Sequence, residues 1–215
     1  MNSKFDVRLF VEKGLKAKLA SDTATWFDRY PGPISVSVAQ EDLELEQNAQ
    51  GQIEFDRAFS YLKKLRLEAQ ASPDTIIFLL TKSPNERNWF ATEDPECMRN
   101  AFGHVDDFSW ITSAPGSAVK AHYILKSIFN ALLFEAQLPW REMWHIEPRG
   151  CFFDFCERKR DLDLKFRTAD ICADCLSIFQ SIPIPDDVLS QTAAIMWHDQ
   201  PDLVHVGRDY FLYQI

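Results

Sequence analysis

The chain has 215 residues, the size of one domain or of one domain with a small appended lobe, and its 46% apolar and 26% charged content is that of a globular protein rather than a disordered one. With 32 acidic residues against 23 basic ones the formal net charge is −9, which opposes the broad basic surface of a nucleic-acid-binding domain. No apolar run is long enough for a transmembrane helix and no secretory signal opens the chain, so the expected setting is the cytoplasm, with no membrane partner.

Taken in order, residues 4–11 alternate as a first strand would, unless they lead straight into the following helix. Leu15, Leu19, Trp26 and Phe27 give residues 15–30 a helical period that stops at Pro31-Gly32-Pro33. Residues 34–39 (I-S-V-S-V-A) alternate strictly and predict a strand with Ile34, Val36 and Val38 on its apolar face. Residues 41–52 are acidic and aperiodic, and read as a surface loop. Helical spacing returns over 53–69 through Phe55, Phe59, Leu62 and Leu65, and breaks at Ser72-Pro73-Asp74. The run T-I-I-F-L-L-T at 75–81 has the continuous apolarity of a strand buried on both faces. This alternation predicts an α/β fold, a mixed β-sheet flanked by helices.

Residues 82–117 are long and irregular, with room for an edge hairpin, and segments of this kind often border a binding surface. Residues 117–134 predict the longest helix, capped by Ser117, with Val119, Tyr123, Leu125, Ile128, Phe129, Leu132 and Leu133 as a broad apolar face. Pro139 ends that region. Residues 176–179 read as a short helix and 187–197 as another, capped by Asp186. The aromatic tail at 204–215 is expected to dock on the sheet. A single domain is therefore predicted, with sheet and helices over 1–140, a cysteine-rich lobe over 141–182, and a C-terminal helix and tail over 183–215.

The lobe carries four of the five cysteines, Cys151, Cys156, Cys172 and Cys175, spaced C-x4-C-x15-C-x2-C. Two thiolates on one tight turn can bond the same ion at about 2.3 Å, and a second pair completes a tetrahedron. Zinc is the ion expected in such a structural site, with an iron–sulfur cluster as its competitor. A disulfide framework is the weaker alternative, because a chain of this size does not need staples. Cys97 stands alone and reads as a core residue.

This stretch resembles the C-terminal half of the archaemetzincins, zinc peptidases with the pattern H-E-x-x-H-x-x-G-x-x-H-C-x4-C-x-M followed by C-x-x-C. His145 precedes Cys151 by six positions, as the last motif histidine precedes the second cysteine there, and Cys172-Ala173-Asp174-Cys175 matches the knuckle. Phe153 then sits at the methionine position. In a second register Cys151 and Cys156 match the C-x4-C directly. The resemblance implies the fold and a structural zinc. Counted back from His145, the helix histidines fall at Glu135 and Pro139, the catalytic glutamate at Ala136 and the glycine at Glu142. A hydrolytic zinc needs about three protein ligands and a general base, so these replacements argue against peptidase chemistry. His122 on the long helix is followed four residues later by Lys126, which does not restore the pair.

Other constellations carry less. His145 and Glu147 would share a face in a strand. His104 lies near Asp106 and Asp107, and Glu157 and Lys159 have a spacing seen in metal-dependent nucleases. Arg158, Lys159, Arg160, Lys165 and Arg167 interleave with acids and read as a solvated face. No phosphate-cradling or nucleophile-elbow motif occurs. The expected site is a zinc held by Cys151, Cys156, Cys172 and Cys175, with His145 as the reserve ligand if one cysteine is left out. The expected role is a zinc-stabilised, non-peptidase relative of the archaemetzincins that binds a protein partner. The alternative is a metal-dependent hydrolase rebuilt near His145 from His104, His122, Glu147 or Asp154.

Overall fold

A computed structural model describes residues 5–107, 109–138, 143–168, 170–179, 182 and 184–196. Pro139, Trp197 and the expected docking tail at 204–215 lie outside them. The elements run β1 (Phe5–Glu12), α1 (Ala17–Arg29), β2 (Ile34–Leu43), α2 (Phe55–Glu68), β3 (Ile76–Thr81), β4 (Ala91–Asp94), β5 (Cys97–His104), α3 (Gly116–Glu135), α4 (Leu162–Thr168), α5 (Ala173–Phe179) and α6 (Asp186–Met196).

The five strands form one mixed sheet in the order β2-β1-β3-β5-β4, parallel except for β4 against β5. Side chains alternate across a strand, so the apolar run of β3 feeds two cores at once. Ile76, Phe78 and Leu80 face the larger core, with α1, α3 and the C-terminal lobe, while Ile77 and Leu79 face the smaller one under α2. The same division puts Leu9 in the larger core and its neighbour Phe10 in the smaller. The irregular segment after β3 does contain a hairpin, β4–β5, and it extends the sheet because β5 also pairs with β3. None of the helices among the described residues is long and apolar enough to cross a membrane.

Two local expectations are corrected. β2 runs on to Leu43, past the predicted strand end and into the expected loop, because pairing with β1 resumes at Val11–Asp42 after a register irregularity. Ser117 does not cap α3: Pro115 occupies the cap position, and the Ser117 hydroxyl accepts a hydrogen bond from Trp26 Nε1 at 3.0 Å, tying α1 to α3.

α6 is pinned by one side chain. Gln191 accepts from the Ile34 amide at 2.8 Å and donates to the Tyr30 and Ile34 carbonyls at 2.8 and 2.9 Å, satisfying the backbone where β2 begins. Buried amides left without partners are costly. Gln191→Leu is therefore expected to destabilise the fold by about 2–4 kcal/mol, read as a lower urea midpoint with unchanged slope.

Candidate metal centre

The lobe begins on a turn that Asp154 organises. Its carboxylate is fully buried, and Oδ2 accepts from the backbone amides of Arg149, Gly150 and Cys151 at 2.9, 2.8 and 3.0 Å. Gly150 has φ +80°, and a Cβ there would fall 2.5 Å from Thr168 Oγ1, so only glycine fits where the chain passes α4. The other oxygen, Oδ1, lies 3.0 Å from His145 Nδ1. Facing a carboxylate, Nδ1 carries the proton, which leaves the Nε2 lone pair free to bind a cation.

Nε2 points at two sulfurs, Cys175 Sγ at 3.5 Å and Cys172 Sγ at 3.7 Å. Cys151 Sγ is 3.8 Å from Cys175 Sγ. The four donor atoms of His145, Cys151, Cys172 and Cys175 all lie within 4.8 Å of one another. Zinc–sulfur bonds of about 2.3 Å and zinc–nitrogen bonds of about 2.0 Å at tetrahedral angles require S···S near ~3.8 Å and N···S near ~3.6 Å. The set fits one tetrahedral ion. A multi-iron cluster would hold its ligands further apart, because metal–sulfide bonds intervene. All five cysteines are free thiols.

The surroundings favour thiolate. Cys151 Sγ accepts from the Phe153 and Cys172 amides, each at 3.5 Å. Its thiol is drawn down to about 6, first by the hydrogen bond it shares with Cys175 and then by these amides, against the effect of burial. Cys175 is pushed far up by the same hydrogen bond and by burial. A cation bound to these sulfurs would displace the protons they carry.

Cys156 is not in this set. The backbone turns left-handed there, φ +54°, and its buried side chain lines a neighbouring cavity. Burial pushes its thiol up. The spacing-based quartet is thus replaced by three cysteines and the reserve ligand His145. Asp154, named in the sequence only for a rebuilt hydrolytic site, is what aims that histidine. Its spacing after the Gly150-Cys151 turn was the available signal.

The other candidates are not brought together. His122 is wedged beside Phe152 and Phe166, ring centroids 4.4 and 5.0 Å away, and burial drives it well below its ordinary range. Asp154 is fully engaged, and Glu147 is exposed. Glu135 is the last residue of α3 and pairs with Arg99. Among the described residues, no second group of histidine, cysteine and acidic side chains could hold a metal. The basic stretch is no patch: Lys165 is buried, Lys159 pairs with Asp106 and Arg167 with Asp163.

Comparison of folds matches a zinc-dependent peptidase from Methanocorpusculum labreanum, at TM-score 0.55 and 15% identity over 80% of this chain and 98% of that one. Archaemetzincin from Archaeoglobus fulgidus, solved with malonate, matches at TM-score 0.50 and 12% identity over 80% and 99%. The fold is archaemetzincin-like. No protein-family model matches the sequence, and no curated protein does. α3 carries His122, Tyr123 and Lys126, so it holds no H-E-x-x-H motif.

Carboxylates behind ligating histidines set both their tautomer and their angle. Asp154→Ala is expected to weaken zinc affinity by about 10–100-fold, measured by competition with a chromophoric chelator.

Proposed function

We propose that this chain is a zinc-stabilised, non-peptidase relative of the archaemetzincins that acts by binding a protein partner. The observation that carries the reading is closure of the metal centre. Three thiolates and an imidazole fill all four tetrahedral positions, whereas a hydrolytic zinc keeps one open for water. The ion would cross-link residues 145–175, and among the described residues no carboxylate joins the donor set. His145 Nδ1 is committed to Asp154, and the Asp154 carboxylate to three amides.

With hydrolysis unsupported, binding is the remaining route to function. The surface that favours it is β4, which pairs on one side only. Beside it runs a groove of about 770 Å³, lined by Phe55, Phe59, Trp89 and Trp144 with Lys63 and Glu96 at its polar rim. An extended partner segment can add to such an edge through backbone hydrogen bonds while its side chains enter the groove. A photo-cross-linker at exposed Ser60 in this groove is expected to capture the partner, and one at Ser21 on α1 is not.

Metal analysis of the purified chain is expected to return a single zinc, with no peptide cleavage in excess zinc. Zinc-dependent cleavage abolished by His145→Ala would overturn the reading. Because structural zinc contributes folding free energy, about 10 kcal/mol of apparent binding in isolated zinc modules, chelation is expected to lower the melting temperature sharply and to expose Cys151, Cys172 and Cys175 to thiol reagents.

A further inference from the structure

A second cavity, of about 310 Å³, lies between β4, α3 and the start of the lobe, at the lower end of the roughly 300–1,000 Å³ range of small-molecule sites. Its charge reverses that of the chain. Arg87, Lys126, Lys159 and Lys165 line it against Glu93 and Glu157, in a protein whose formal net charge is −9. Two of its donors are uncommitted. Tyr123 is only 4% exposed, and among the described residues its hydroxyl has no hydrogen-bond partner. Lys126, one turn along α3, makes no hydrogen bond or ion pair among the described residues. Its amine sits 5.5 Å over the ring of Trp144. A buried hydroxyl without a partner is rare enough in a folded chain to require an explanation.

Three other polar groups of the lining are already engaged. Lys165 donates to the Asp154 carbonyl at 2.9 Å, Lys159 pairs with Asp106 at 2.8 Å, and Glu93 accepts from Ser127 at 2.8 Å. The apolar wall is flat and rigid: Trp89, Trp144 and Phe155 pack edge-to-face and stacked, with centroids 5.5 to 6.4 Å apart.

We propose that this cavity binds a small organic carboxylate with a planar apolar body, its anionic end received by Tyr123 Oη and Lys126 Nζ and its body lying on the Trp89–Trp144–Phe155 wall. The cationic lining disfavours an ammonium ligand. A single carboxylate matches two free donors, whereas a phosphate dianion is usually met by a helix N-terminus or an arginine fork. α3 presents its middle here, and Arg87 is stacked on Phe55 and Trp89. Burial also pulls Lys126 down from its ordinary range and Lys165 to about 7, so an anion entering the cavity would favour their charged forms.

The test is calorimetric titration of the zinc-loaded protein with phenylacetate, its neutral isostere phenylacetamide, and phenyl phosphate. The expected result is saturable binding of phenylacetate, at least about 10-fold tighter than the amide and tighter than the phosphate, that being the scale of one charged hydrogen bond. Tyr123→Phe and Lys126→Met are each expected to lose about 10-fold for phenylacetate with unchanged zinc content. Tyr123→Phe removes a hydroxyl that bonds to nothing, so it is expected to leave stability unchanged or raised. That readout separates a ligand role from a structural one even if Lys126→Met folds poorly. Absence of saturation at millimolar phenylacetate, equal binding of the amide, preference for the phosphate, or full affinity in Tyr123→Phe would each overturn the proposal. Zinc content reports separately on the metal centre.

Discussion

The C-terminal third of the molecule depends on the buried carboxylate of Asp154. An ionised group without solvent is tolerated only when its charge is met by several donors, and here three consecutive amides and an imidazole meet it. The same contacts fix the turn that presents Cys151 and the plane of the His145 ring. Folding the turn and aiming the ligand are therefore one event. Lys165 extends the arrangement by donating to the Asp154 carbonyl from α4, so the helix between the two halves of the metal centre reports on the same residue.

The lobe is not an appendage on the sheet. Phe152 and Phe153, directly after Cys151, enter the larger core and meet Phe129 of α3, with centroids 5.7 and 6.2 Å away, while Phe179 of α5 stacks on Phe129 at 5.3 Å. One ion held by Cys151 and Cys175 would clamp two aromatic anchors onto the same face of α3. Loss of such a clamp would weaken packing that the sheet itself uses, because Val7, Ile76 and Phe78 contribute to that core. The second core under α2 shares no metal contact and has its own aromatic set, Phe55, Phe59 and Phe102.

Much of this was legible in the sequence. β3 announced itself because only a central strand between two helix layers needs six buried positions in a row, and α3 because its apolar face wraps nearly all round. The C-x2-C pair fixed half of the donor set. What spacing could not decide was whether Cys156 or His145 supplied the fourth ligand. That depends on the left-handed turn at Cys156 and on the hydrogen bond from His145 to Asp154, both set by tertiary packing rather than by period. The Ser117 cap failed for a similar reason: the helix starts earlier, at Gly116 behind Pro115, and the serine hydroxyl found a more distant partner in Trp26.

A hydrolytic ion needs an open coordination position, a base and exposure to water; a folding ion needs the opposite of each. His122, at the first position of the H-x-x-x-K run on α3, is enclosed by Phe152 and Phe166, the rings that anchor the lobe. The packing that anchors the lobe therefore also encloses this imidazole. Lys126→His would leave His122 behind that aromatic wall, so two imidazoles one helical turn apart would still not share an open site. Tyr123 and Lys126 instead open onto the cavity beside β4, where a phenol and an ammonium suit recognition of negative charge rather than activation of water.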